Sequence, residues 1–202
     1  MIAVTCRKLC KRPFLEQMEL LAEAGPELII LREKDLGHEE LVAMAKDCSA
    51  ICSRHNVPFS INTDIQAARE LRIPKIHLPM DVLREADIRG FRLVGASVHS
   101  VEEAREASSL GVHYLILGHV FPTACKLWEP CGARLLEDVC RAVDLPVYGI
   151  GGISPDNYDR VLEVGAAGAA CMSSVMEVDD PAEIVDALRP PVGAWGLLSR
   201  RR

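Results

Sequence analysis

The chain lacks any apolar run near the roughly 20 residues that a membrane-spanning helix needs. Its opening MIAVTC enters strand-like sequence without the basic and apolar regions of an export signal. No membrane partner is expected, and the expected location is cytoplasmic. A basic stripe is also missing: the net charge is -6, and Lys and Arg are scattered until Arg200, Arg201 and Arg202. Phosphate backbones demand clustered cations, so nucleic acid is not an expected partner. The eight cysteines include no CxxC pair. Cys6 and Cys10, Cys48 and Cys52, and Cys125 and Cys131 are loosely spaced and have no His cluster beside them, so they read as reduced thiols and no metal is expected. Finally, no GxGxxG turn follows the first strand-like run, which removes the main support for a dinucleotide site on a doubly wound sheet.

What is present is an alternation. The 202 residues are 49% hydrophobic, enough for a sizeable core. Short apolar or β-branched runs occur at Ile2 to Thr5, Glu27 to Leu31, Val57 to Ile61, Lys75 to Leu78, Arg92 to Gly95, Val112 to Leu117, Val147 to Ile150 and Ala167 to Met172. Continuous runs of this kind suit strands buried on both faces of a parallel sheet. Between them lie stretches with helical spacing: PFLEQMELLAEA, His38 to Arg54, Ile65 to Leu71, Asp81 to Ile88, VEEAREASS, Leu135 to Val143, NYDRVLEVG and Pro181 to Leu188. Polar caps mark several starts, among them Asn62-Thr63-Asp64 and a capping box of Ser100 with Glu103. Eight βα units predict an α/β fold, a single (β/α)8 TIM barrel over residues 1–189, with 190–202 as a mobile tail.

In such a barrel the residues after each strand face one mouth. They are Thr5, Arg32, Lys34, Asn62, Ser97, His99, Gly118, His119, Gly151, Gly152, Met172 and Ser173. The stretch GIGGIS (Gly149 to Ser154) either makes a tight turn or lets backbone N–H groups close on a phosphate, as barrels do after strands seven and eight. Arg32 and Lys34 fit a carboxylate, a second phosphate, or a solvated loop of alternating charge. His119 follows the buried run Tyr114 to Leu117, and an imidazole titrating near neutrality can take and return a proton. His77 and His99 lie near strand ends, whereas His38, His55 and His113 read as surface or helix-end residues.

The ordered set LREK (Leu31 to Lys34), IN (Ile61, Asn62), HL (His77, Leu78), VGASVHS (Val94 to Ser100), FPTACK (Phe121 to Lys126) and GIGGISPDN (Gly149 to Asn157) resembles the thiamin phosphate synthase superfamily over nearly the whole chain. Synthases of that group couple a pyrimidine diphosphate to a thiazole phosphate with magnesium. They carry an Asn-Asp pair after strand three and Gly-Gln-x-Asp after strand four. Here Asn62-Thr63 and Pro79-Met80-Asp81-Val82 stand instead. Gly118-His119 and Thr123-Ala124-Cys125-Lys126 are similar to the thiazole tautomerase, TenI-like, branch. That resemblance implies a cofactor-free isomerase acting on a small-molecule thiazole phosphate, with His119 as the acid/base. It implies phosphate docking on Gly151, Gly152, Met172 and Ser173, and a carboxylate or charge-stabilising role for Arg32 and Lys34. Asn62, Ser97, Thr123 and Lys126 match positions facing the ligand. A magnesium-dependent synthase and a non-catalytic thiazole-phosphate binder are the alternatives, and the sequence leaves a homo-oligomer open.

Overall fold

Parallel strands need apolar residues on both faces, and this chain supplies them in eight short runs: Ile2–Val4 (β1), Leu28–Leu31 (β2), Phe59–Asn62 (β3), Lys75–Pro79 (β4), Leu93–Val98 (β5), Tyr114–Gly118 (β6), Val147–Ile150 (β7) and Gly168–Cys171 (β8). In the computed structural model, which describes residues 1–123 and 129–190, they pair in sequence order as parallel neighbours. The sheet closes when Ile2 and Ala3 of β1 register with Ala170 and Cys171 of β8. The predicted (β/α)8 barrel is the observed architecture.

The helices are Phe14–Glu23 (α1), His38–Arg54 (α2), Ile65–Glu70 (α3), Met80–Leu83 (α4), Val101–Ser109 (α5), Gly132–Ala142 (α6), Tyr158–Glu163 (α7), Ser173–Met176 (α8) and Pro181–Ala187 (α9). Side chains alternate along each strand, so one strand feeds two cores. Leu28 and Ile30 join Ile2, Val4, Leu93, Tyr114, Ile116, Tyr148 and Ala170 in a small cluster inside the barrel. Ile29 and Leu31 join the larger cluster with helix residues such as Met18, Leu21, Ala45 and Cys48. Tyr114 and Tyr148 meet edge to face, 6.2 Å between centroids, and fill the middle of the barrel under the mouth.

Local chemistry sets the helix starts. Asp64 accepts from the Ala67 N–H at 2.8 Å, and Asp180 accepts from Ala182 at 2.9 Å. Ser100 accepts from Glu103, as its spacing predicts, but the Glu103 carboxylate closes on the His99 N–H, one residue before the cap. Several boundaries differ from the sequence reading; the helix expected over Asp81 to Ile88 is the single turn Met80–Leu83. Strand β5 runs on to Val98, so Ser97 lies within it; the further apolar and small residues keep pairing with Ile116 and Leu117. A one-turn helix, α8, follows β8, too short to leave a periodic signal. Burial pushes the Cys52 thiol up to about 12, and the Cys48 thiol higher still, as inert core thiols behave. No helix among the described residues is long and apolar enough to cross a membrane.

Candidate active site

The C-terminal ends of the strands surround one cavity of about 680 Å³. Arg32, Lys34, Asn62, Ser97, His119, Thr123, Gly151, Gly152, Met172 and Ser173 all line it. Lys126 and Cys125 lie outside the described residues, as do positions 191–202 of the expected tail. His99 also reaches the rim, its Nδ1 3.0 Å from the Gly118 carbonyl oxygen.

His119 follows β6 directly and is only 5% exposed. Two bonds fix the segment around it to the far side of the following loop: Cys131 N–H donates to the His119 carbonyl at 2.9 Å, and Gly132 N–H donates to Val120 at 3.1 Å. Val120 and Phe121 in turn donate to the carbonyls of Ile150 and Gly151. The backbone around His119 is therefore tied to the glycine turn after β7. A Cβ placed on Gly151 would overlap that of His119, and one on Gly152 would overlap the Pro122 carbonyl. Both glycines have positive φ, +92° and +65°, so close approach and backbone conformation alike require glycine. Among the described residues neither glycine N–H donates to a hydrogen bond. Two such backbone donors beside a buried imidazole are of the kind that bind anions.

The cations sit across the mouth. Arg32 donates its N–H to Thr5 Oγ1 at 2.9 Å, which fixes its backbone, and Nη1 reaches 3.9 Å from the Met172 sulfur. Lys34 is exposed at the rim. Neither forms an ion pair among the described residues, because the acids beside them are engaged elsewhere. Glu33 takes Thr5 Oγ1–H at 2.8 Å and the Arg7 N–H at 3.0 Å, and Asp35 takes the Arg7 guanidinium at 2.6 Å. The bonds from Arg7 and Lys8 hold the Asp35 carboxyl well below the usual carboxylate range.

Magnesium wants several oxygen ligands at short, near-octahedral distances. The carboxylates nearest the expected metal positions are Asp64 and Asp81, and both border the cavity. Asp64 is consumed: one oxygen caps α3 and the other lies 2.8 Å from His38 Nδ1. No group of three or more His, Cys, Asp or Glu side chains among the described residues is arranged to hold a metal ion. Asp64 and Asp81 thus do not form a protein-only metal cage; one or two carboxylates would hold magnesium only together with the phosphates of a bound diphosphate. His38, read from sequence as a surface or helix-end residue, thus begins α2 and also braces the mouth through Asp64. Another connection the spacing did not reveal lies deeper, where His77 meets Tyr114 and Ser97.

The Thiamine monophosphate synthase family model matches residues 1–175. The thiamine-phosphate synthase of Bacillus licheniformis is 33% identical over 189 residues, 89% of this chain and 84% of the relative. That of Listeria monocytogenes serotype 4a is 37% identical over 186 residues, 86% and 87% of the two chains. Among solved structures, thiamine phosphate pyrophosphorylase from Pyrococcus furiosus superposes with a TM-score of 0.80 at 28% identity, covering 99% of this chain and 95% of that one.

Proposed function

The chain belongs to the thiamine monophosphate synthase family, and from that premise we propose that it is a thiazole tautomerase, an isomerase that aromatises the carboxythiazole phosphate tautomer by acid/base chemistry alone. One observation carries the reading: His119, nearly buried, lies against the turn of Gly151 and Gly152, whose N–H groups donate to no hydrogen bond among the described residues. A phosphate held on those N–H groups and on the start of α8, with Met172 and Ser173, brings the ring of its own molecule beneath the imidazole. His119 then takes the proton from the ring carbon bearing the carboxylate. The electron pair moves through the ring, and the same proton-bearing imidazole protonates the exocyclic carbon. No atom is gained or lost, so one base suffices. Arg32 and Lys34, unpaired with any acid among the described residues, bind the carboxylate and oppose the charge that develops beside it. Asn62, Ser97 and Thr123 complete the wall around the ring.

The relatives' names favour a second reading, the magnesium-dependent coupling of a pyrimidine diphosphate with a thiazole phosphate. The engagement of Asp64 by His38 and by the α3 cap weighs against that reading. Conversion of the tautomer to the aromatic carboxylate, followed by absorbance with and without chelator, separates the two. Chelator-resistant conversion that falls roughly 10² to 10⁴-fold in His119→Ala is expected. Silence with the tautomer, together with coupling of both synthase substrates in magnesium, would replace the tautomerase with the synthase. Binding of the thiazole phosphate without either reaction would make the protein a binder.

A further inference from the structure

His77, Gly95 and Tyr114 occupy one rung of the barrel, because His77 registers with Gly95 and Gly95 with Tyr114. A Cβ on Gly95 would overlap the Tyr114 ring. Glycine there lets the tyrosine reach across β5, and its hydroxyl lies 3.1 Å from His77 Nδ1. The other ring nitrogen, Nε2, lies 2.8 Å from Ser97 Oγ at the cavity wall. Tyr114 is 0% exposed and His77 is 3% exposed.

Two proton arrangements satisfy these distances. In the first, Nδ1–H donates to the tyrosine oxygen. The Tyr114 O–H then has no acceptor among the described residues, inside a layer formed by Leu93, Ile116 and Tyr148. In the second, the Tyr114 O–H donates to Nδ1 and Nε2–H donates to Ser97 Oγ, so every buried donor is used. An unmade donor in a dry interior is the more expensive fault, which selects the second arrangement. Burial, with Arg32 nearby, lowers the His77 pKa to about 3, so the ring carries a single proton at working pH.

We infer that Tyr114 fixes His77 as the Nε2–H tautomer, that Nε2–H fills an acceptor site on Ser97, and that Ser97 therefore directs its own O–H into the cavity and selects a hydrogen-bond acceptor on the ligand. His77 and Tyr114 are positioning residues acting through Ser97. The relay follows from the packing alone. That its acceptor belongs to a carboxythiazole phosphate rests on the proposed function.

Long-range ¹H–¹⁵N correlation of the ¹⁵N-histidine-labelled full chain reads the tautomer directly, with His77 assigned among the six histidines by its loss in His77→Gln. The Nε2–H pattern is expected in the wild type, changing in Tyr114→Phe; an Nδ1–H pattern in the wild type overturns the relay. If His77→Gln does not fold, the resonance perturbed by Tyr114→Phe supplies the assignment. Titration with the aromatic carboxythiazole phosphate provides the second arm. Ser97→Ala should weaken binding by about tenfold, the size of one hydrogen bond to a charged group. Tyr114→Phe should weaken it by about threefold and add nothing in a Ser97→Ala background. Fully additive losses would overturn the relay. If the wild type does not bind this ligand, the proposed function fails and the tautomer spectrum still decides the relay.

Discussion

The two sides of the mouth solve the problem of charge in opposite ways. At the β1–β2 side, charge is dense and mutually engaged: Glu33 is 7% exposed and is held by Thr5 and Arg7, while Asp35 is held by Arg7 and Lys8. At the β7–β8 side no charged residue lines the cavity among the described residues, and there the backbone N–H groups of Gly151 and Gly152 have no hydrogen-bond acceptor. The acids of the first side act as braces that leave Arg32 and Lys34 unpaired among the described residues, and the second side supplies oriented donors that need no side chain at all.

The largest effect should come from filling the glycine side. Gly151→Ala places a methyl group where His119 has its Cβ, at a φ of +92° that side chains rarely adopt. The imidazole must shift, and a displacement of about 1 Å at a reacting group lowers kcat/KM by roughly 10²-fold. Phosphate affinity should fall with it, because the unused N–H groups turn with the backbone. Steady-state kinetics against tautomer concentration checks both, and an unchanged KM would separate the glycine turn from phosphate binding.

The charged side should break differently. Glu33→Ala leaves the Thr5 hydroxyl and the Arg7 N–H without their acceptor in a nearly closed space. Each buried unmade donor costs about 1 to 3 kcal/mol, and partial exposure of Arg7 moderates the sum, so a loss of about 2 to 3 kcal/mol in urea unfolding is expected. Turnover of the folded fraction should fall less than in Gly151→Ala. A variant that kept its stability would show that Glu33 is not the brace.

These differences also explain what could be read from sequence. The barrel was legible because each strand is a short apolar run, such as Leu28–Leu31, between polar caps such as Asp64 and Ser100. The ring of cavity residues was legible because strand ends in a barrel share one mouth, which placed His119, Arg32 and the glycine pair without any contact being known. Pairings across the barrel were not. Tyr114 reaches His77 only because β5 puts Gly95 in their common rung, a fact of register rather than of spacing. Asp64 read as a helix cap, and nothing nearby in the sequence announced that its second oxygen meets His38, 26 positions away. The helix α8 escaped because four residues carry no period.

The smallest expected effect lies between the two sides, at the contact of His38 with Asp64. Asp64 raises the His38 pKa above its ordinary value, and Glu70 adds to the rise. A histidine whose folded-state pKa is raised contributes stability that is complete below its unfolded pKa and is lost as pH rises through the folded one. The brace on α3 should therefore slacken as pH rises past the ordinary histidine range and through the raised folded-state pKa. Asp64 would keep its bond to the Ala67 N–H while losing a cationic partner. His38→Gln should flatten this part of the stability profile. Thermal melts of both proteins across pH 6 to 9 test it, because two parallel profiles would mean that the imidazole is held by geometry and not by charge.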